Sequence, residues 1–278
     1  MADHASDMKT PPGRSPGTAA SRPDTLALDK AFEALKTYDA GSSRGALEPI
    51  DTEILAALTD ARRRQEVERR LAGLLGTDAS IWAKEYVCSK LRLIGGAASV
   101  SALVPLLADP HLSDAARSAL QTMSCPEATR ALRDALATLP DALRLGVIGS
   151  LGKRRDTGSV RALVRLLESP DTATAAAAAG ALGDIGTAKA ARSLRKFLAG
   201  CPEAVRLVVV DAGLTCAERL AAAGNRDEAR EMGRALDTSA YPAHVRFAAT
   251  RRLSGAAPPK RRMPAVPVHP EVGGLSLR

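Results

Sequence analysis

Aromatic side chains are scarce in this sequence. They make up 3% of its 278 residues, whereas hydrophobic residues as a whole make up 45%. A core with so few rings has to be built from Leu, Ala and Val, which allow helices to pack at close range. A β-rich protein of this length would carry more aromatic and β-branched residues, and no alternating strand pattern stands out. We therefore expect an all-α fold with essentially no sheet.

The sequence also lacks the usual signatures of catalysis. It has no Gly-x-Gly-x-x-Gly segment, no phosphate-binding Gly-Lys-Ser/Thr loop and no Gly-x-Ser-x-Gly elbow. None of the four histidines stands at ligand spacing, and no Cys-x-x-Cys occurs among the four cysteines. We predict that the protein has no catalytic residues, no cofactor and no metal, and that it is not an enzyme.

The cysteines and the apolar runs set further limits. Cys88 and Cys216 fall within predicted helices, so we interpret the cysteines as inert packing residues, with a Cys201–Cys216 disulfide as the alternative. No segment of the sequence is a candidate membrane span, and its first 25 residues lack the apolar run of a secretory signal. A cytoplasmic location is therefore expected, unless a leader has been trimmed from the sequence.

What the sequence does contain is a repeat. Prolines recur at intervals of about 31 residues, each after an apolar stretch that ends in a turn. They are Pro110, Pro140, Pro170 and Pro202. A fixed period of this length is too short for a domain and suits two short helices with their turns, which is typical of a helical solenoid. Proline between the helices ends one and lets the next begin.

Two series of leucines follow the same period independently. The first helices of the pairs contain Leu71, Leu103, Leu132, Leu163 and Leu194. The second helices contain Leu91, Leu120, Leu151, Leu182 and Leu214. Because both series agree with the periodic prolines, we predict about five stacked helix pairs that bury a continuous Leu/Ala core. The small rotation between pairs should curve the array, so that the second helices line a concave surface.

Composition indicates where the repeats begin. Residues 1–23 combine Pro, Gly, Ser and Thr with few apolar residues, which predicts a disordered leader. Residues 24–60 hold two amphipathic segments without the repeat pattern, Thr25–Tyr38 and Ala46–Thr59. A solenoid has to close its open end with an atypical unit, so we predict that these segments are N-terminal capping helices.

The other end of the array is predicted in the same way. The repeats should occupy residues 61–224, and a C-terminal capping pair should follow over residues 225–255, as Asp227–Leu236 and Pro242–Leu253. Residues 256–278 are rich in proline and include Lys260-Arg261-Arg262. They predict a disordered basic tail.

The net charge of +8 is concentrated in two regions. Residues 151–200 hold nine basic and four acidic residues, and residues 251–278 hold six basic and one acidic residue. The first region contains Lys153-Arg154-Arg155. Where such basic patches lie on a surface, they attract acidic or phosphate-bearing partners.

Arg154 occupies an unusual place in the repeat. In the repeat alignment it stands where other units have an apolar seam residue, namely Ile94, Met123 and Ile185. One interpretation is that Arg154 turns outward or pairs with Asp156 or Asp184. The other is that it docks an acidic partner or a phosphate.

These repeats resemble a known family. Residues 159–171, Ser-Val-Arg-Ala-Leu-Val-Arg-Leu-Leu-Glu-Ser-Pro-Asp, and the stretch Ala-Ala-Ala-Gly-Ala-Leu-Gly-Asp-Ile-Gly that ends at Gly186 are similar to the HEAT repeat of the bacterial phycobilisome-lyase-like type. The resemblance covers about five units, from near Arg62 to Leu220. It implies a right-handed α-solenoid with terminal capping helices.

The resemblance implies several activities, because the family spans scaffolds, chromophore lyases, a metal-dependent hydroxylase and a DNA-repair branch. Hydroxylase-like members carry paired His-Glu steps as iron ligands, and no histidine here is followed by glutamate. DNA-repair-like members rely on aromatic residues on a basic concave face, and Trp82 is the only tryptophan of this chain. Chromophore lyases usually act as paired subunits, so a lyase-like role stays open.

We predict a non-catalytic scaffold that binds a protein partner on its concave surface, because a rigid surface loses little entropy on binding. Candidate contact residues are Arg117, Arg144 and Arg206, at positions expected to be exposed on second helices, together with Lys153, Arg154 and Arg155. The alternative is that basic patches on the solenoid and tail bind nucleic acid or another polyanion, with an affinity that falls steeply as salt is raised.

Overall fold

The computed structural model describes residues 25–236, and every regular element within them is a helix. The α-helices of this span are α1 (Thr25–Lys36), α2 (Glu48–Ala57), α3 (Ala61–Leu75), α4 (Ile81–Ile94), α5 (Ala97–Leu103), α6 (Ser113–Thr122), α7 (Pro126–Thr138), α8 (Asp141–Lys153), α9 (Val160–Leu166), α10 (Thr172–Ile185), α11 (Ala188–Leu198), α12 (Glu203–Ala222) and α13 (Arg226–Leu236). Short 3-10 helices lie at Arg44–Leu47, Val104–Ala108 and Thr157–Ser159. The predicted all-α fold is confirmed.

The helices alternate between two layers, as the leucine periods predict. Helices α3, α5, α7, α9 and α11 carry the first leucine series, and helices α4, α6, α8, α10 and α12 carry the second. All ten leucines are buried. In the second layer each helix packs on the next, from α4 on α6 to α10 on α12. The substantial contacts join helices no more than two positions apart along the chain, as expected of a solenoid.

The turns between the layers fall at the predicted breakers. Pro140 and Pro202 directly precede α8 and α12. After Pro170, the side chain of Asp171 accepts hydrogen bonds from two N–H groups in the first turn of α10 and so caps that helix. The same helix ends at Gly186, whose φ of 66° is left-handed and whose N–H donates to the carbonyl oxygen of Leu182.

Glycines bring neighbouring helices of the second layer into close contact. A Cβ added at Gly152 of α8 would lie 2.8 Å from the Cα of Ala181 on α10. A Cβ added at Gly183 of α10 would lie 2.6 Å from the carbonyl oxygen of Ala212 on α12. Because no side chain fits at these two places, the backbones themselves are in contact. The second layer is accordingly packed more tightly than the first.

The predicted caps lie partly within the described residues. Helices α1 and α2 stand at the predicted N-terminal positions, but α2 starts at Glu48, since a 3-10 turn over Arg44–Leu47 precedes it and Pro49 lies in its first turn. Helix α13 packs on α11 and α12 at the place predicted for Asp227–Leu236. That these helices cap the array stays a prediction. The predicted leader, the helix at Pro242–Leu253 and the basic tail lie outside the described residues.

Candidate partner-binding surface

The second layer presents one solvent-facing stripe per helix, and we call these stripes together the inner face. On α8 the stripe consists of Ala142, Leu145, Gly149 and Lys153. Gly149 and Gly180 of α10 occupy equivalent positions in their repeats, and a Cβ added at either would meet open space. Large apolar side chains stand at the two ends of the row, with Trp82 on α4 51% exposed and Leu207 on α12 65% exposed.

Three of the predicted contact residues are less exposed than predicted. Arg144 and Arg206 lie in the first turns of α8 and α12, and Arg117 lies in the middle of α6. Each is partly buried and pairs with the acidic residue three positions earlier, at N–O distances of 3.0, 2.9 and 2.8 Å. Arg117 also donates to Ser150 Oγ on α8 at 2.8 Å. The expectation that these side chains are exposed is therefore wrong. The acidic residue three positions before each arginine in the sequence indicated the ion pair. Contact of these arginines with a partner stays a prediction.

The Arg154 side chain turns into the seam between repeats and caps the end of α6. Its Nη1 donates to the carbonyl oxygens of Leu120 and Gln121, at 2.9 Å each, and to that of Met123 at 2.5 Å. Its Nη2 donates to Thr129 Oγ1 of α7 at 2.7 Å. The last carbonyl groups of a helix have no partner within that helix, and here a guanidinium from the following repeat supplies the donors.

This placement corrects the sequence-based interpretation of Arg154. The expected partners were solvent or the carboxylates of Asp156 and Asp184, and the side chain instead bonds to backbone carbonyls of the preceding repeat. Burial lowers the pKa of Arg154 from its ordinary value. The guanidinium thus holds two repeats together, and docking of a partner there stays a prediction.

Lys153 belongs to a charged row that crosses three second helices. Its Nζ lies 2.8 Å from Asp184 Oδ2 on α10, and Asp184 Oδ1 accepts a hydrogen bond from Arg219 Nη2 on α12 at 3.1 Å. Burial on its own would raise the pKa of Asp184, but the hydrogen bonds from Lys153 and Arg219 outweigh it and hold this pKa below its ordinary value. The charge of Lys153 is therefore already paired within the protein.

Arg155 follows α8 in a left-handed conformation. Its φ is 52°, and no other residue in 25–236 except glycine has a positive φ. The N–H of Asp156 donates to the carbonyl oxygen of Leu151 at 3.0 Å, which closes the helix around Arg155 as a Schellman motif does. The Arg155 side chain is exposed and lines an open depression of about 490 Å³ beside α12.

Buried carboxylates also join consecutive repeats. Asp156 accepts a hydrogen bond from Arg133 Nε at 2.7 Å and another from the Ser159 hydroxyl. Burial on its own would raise the pKa of Asp156, but these hydrogen bonds outweigh it and hold the pKa below its ordinary value. Glu68 of α3 accepts from the N–H and the hydroxyl of Ser99 on α5, at 3.1 and 2.9 Å. The repeats are thus linked by polar bonds as well as by the apolar core.

The four cysteines are free thiols. Cys88, Cys201 and Cys216 are buried and Cys125 is half-buried, so the alternative of a Cys201–Cys216 disulfide is wrong. Burial raises the pKa of Cys88 and that of Cys216 to about 12.

Residues 25–236 contain no group of three or more His, Cys, Asp and Glu side chains that could hold a metal ion. None of the described helices is long and apolar enough to cross a bilayer. The absence of a metal, a cofactor and catalytic residues stays a prediction.

Comparison with known proteins identifies the repeat. The family model for HEAT repeats matches residues 129–212, which extend from within α7 into α12. The chain therefore contains HEAT repeats, stacked as an all-α solenoid, and the resemblance inferred from the sequence is confirmed. No curated protein matches the chain.

Three solved structures are similar to this chain at low sequence identity. An archaeal HEAT-like repeats protein from Thermococcus onnurineus NA1 is 16% identical with a TM-score of 0.46, over 81% of this chain and 95% of that one. The complex of CpcE and CpcF of phycocyanin lyase from Nostoc sp. PCC7120 is 17% identical with a TM-score of 0.41, over 90% and 99%. Human deoxyhypusine hydroxylase is 16% identical with a TM-score of 0.34, over 82% and 95%. Similarities at this level carry no argument about the activity of this chain.

Proposed function

We propose that this HEAT-repeat protein is a non-catalytic scaffold that binds a protein partner on its inner face. The close contacts at Gly152 and Gly183 draw the second helices together more tightly than the helices of the first layer. When helices are closer together in one layer than in the other, the array curves toward the closer layer. This supports a concave inner face, which does not need a partner in order to form.

The shape of the inner face is the observation that supports the proposal. Gly149 and Gly180 have no side chains and leave a shallow depression in its middle, where the main chain of a partner can approach closely. Trp82 at one end, and Leu207 and Val208 at the other, expose large apolar side chains to water. Exposed apolar groups of this size, with tryptophan foremost, are the usual anchors of protein interfaces.

Binding of a polyanion, the alternative function, would depend on the basic tail, which lies outside the described residues, and on the basic patch Lys153-Arg154-Arg155. Lys153 is paired with Asp184, and Arg154 donates its hydrogen bonds to backbone carbonyls. Of this patch, Arg155 remains available to a phosphate backbone. Tight binding to such a backbone requires basic groups that neutralise several phosphates. The patch therefore favours a protein partner over nucleic acid.

The test begins with cross-linked affinity capture of the full chain in its native host, followed by purification of the captured protein. Binding is then measured by calorimetry for the wild type and for a Gly149→Arg variant. The new side chain would project from the inner face into open space, so the fold should persist while the partner is displaced. We expect the dissociation constant to rise at least about tenfold.

The matched control is Ala137→Arg, which adds the same charge to an exposed position of the first layer, on α7. Its affinity should stay within about twofold of the wild type. Equal binding by wild type and Gly149→Arg, or the absence of any saturable protein partner, would contradict the proposal. Random duplex DNA is titrated at low and at physiological salt, and tight binding that weakens steeply with salt would favour the alternative.

A further inference from the structure

Arg155 occupies a backbone position that suits glycine. It stands four residues after Leu151, and in the next repeat Gly186 stands four residues after Leu182. Both residues close a second helix with a positive φ, 52° for Arg155 and 66° for Gly186. A side chain with a Cβ is strained in this region, whereas glycine is not. An arginine at this place therefore costs stability relative to glycine, and its side chain is the part that glycine could not replace.

The guanidinium of Arg155 has no partner within the described chain. It makes no side-chain hydrogen bond or ion pair with any of residues 25–236, although it is close to the end of α12. Together with Arg219 it lines the open depression of about 490 Å³, and Thr215 and Glu218 line the same depression. Arg219 donates to Asp184 through Nη2, and its Nε is buried without an acceptor in the described part of the chain. We call this depression the Arg155 pocket.

The charged groups around the Arg155 pocket differ in whether they are paired. Asp184 pairs with both Lys153 and Arg219. Arg155 has no carboxylate partner among residues 25–236. A carboxylate from a partner would supply that counter-charge, and guanidinium groups bind carboxylates well in a bidentate geometry.

We propose that the Arg155 pocket binds the carboxylate of an Asp or Glu side chain from an acidic segment of the protein partner. The inference rests on the proposed function and names the chemistry of the partner at one end of the inner face. Arg155 supplies a guanidinium that has no partner among residues 25–236, and Arg219 is held beside it by Asp184. The strained backbone at Arg155 is retained because glycine could not make this contact.

The test uses the full chain and an Arg155→Gly variant. Thermal unfolding is expected to shift upward by about 2–4 °C in the variant, because the strain at this position is relieved. A hexaglutamate peptide is titrated into the protein, and NMR follows the side-chain Nε–Hε signals of Arg155 and Arg219. In the wild type both signals should move to saturation, and in Arg155→Gly the affinity should fall at least about fivefold. Arg130→Ala, which removes an exposed arginine from α7, is the matched control and should bind as the wild type does.

Several outcomes would overturn the proposal. They are unmoved arginine signals, equal weakening in Arg130→Ala and Arg155→Gly, tighter binding of inorganic phosphate or duplex DNA than of hexaglutamate, and a lower unfolding temperature in Arg155→Gly. The two proposals can fail separately. A natural partner that is captured equally by wild type and Arg155→Gly leaves the scaffold function in place and removes the pocket. Saturable hexaglutamate binding without any captured partner would leave the pocket in place and remove the scaffold function.

Discussion

Replacing Arg154 by Met should destabilise the protein, even though other repeats have apolar residues at this position. From the repeat pattern alone, a methionine would restore an apolar seam and strengthen it. In the structure the Arg154 guanidinium provides hydrogen-bond donors for the end of α6, at the carbonyl oxygens of Leu120, Gln121 and Met123. A methionine has no donor, so these carbonyls would lose their partners.

The expected loss follows from two opposing contributions. A carbonyl left without a donor in a buried place costs about 1–3 kcal/mol, and three are affected here, although water will reach some of them because Arg154 is only partly buried. Burial of the methionine side chain returns about 1.5–3 kcal/mol. We expect the free energy of unfolding to fall by about 2–3 kcal/mol.

The measurement is urea unfolding followed by far-UV circular dichroism, combined with hydrogen exchange of α6. Exchange is needed because repeat arrays can unfold in parts, so that a single transition does not describe them. Lys153→Met is the matched control, since the Lys153 side chain is 64% exposed and Asp184 keeps its ion pair with Arg219, so the loss should be less than about 1 kcal/mol. An Arg154→Met variant that is as stable as the wild type, with α6 equally protected, would refute the reasoning.

Three further predictions concern packing, pH and thiol reactivity. Gly183→Ala should lower the free energy of unfolding by about 1–3 kcal/mol, because its Cβ would meet the α12 backbone, whereas Gly180→Ala, in open space, should raise it by about 0.5–1 kcal/mol, and urea unfolding distinguishes them. Because the folded protein holds the pKa of Asp156 below its ordinary value, the stabilisation is present above about pH 4 and is lost as the pH falls through the folded pKa. An Asp156→Asn variant should be less stable near neutral pH and should lose less stability than the wild type on acidification, and parallel curves would contradict this. With pKa values raised to about 12, the thiols of Cys88 and Cys216 should react with a maleimide near neutral pH only after unfolding, and rapid labelling of the folded protein would show this to be wrong.

The layered fold could be predicted because its signal is periodic. Each leucine of the two series lies in the layer that its series predicts, and all are buried, since every repeat has to hide the same face against its neighbours. Pro140, Pro170 and Pro202 mark turns for an equally local reason, because a proline cannot continue the preceding helix. Local rules repeated at a fixed interval are the kind of information that one sequence carries well.

The polar contacts could be predicted only in part. The alignment shows that Arg154 is out of place in a seam, but its actual partners lie about 30 residues earlier and depend on how two repeats stack. The pairing of Arg117 with Asp114 was visible as an acid three residues before an arginine. For Arg155 the signal was its alignment with Gly186, because a glycine at the end of a helix suggests a left-handed backbone.

The glycine contacts of the second layer have a consequence for the length of the protein. Helix α10 presents Ala181 to α8 and Gly183 to α12, so the α9–α10 unit carries both halves of the same contact. A duplicated copy of this unit would stack on its original without any new complementary pair. Duplication of the α9–α10 segment would thus extend the array by one whole repeat.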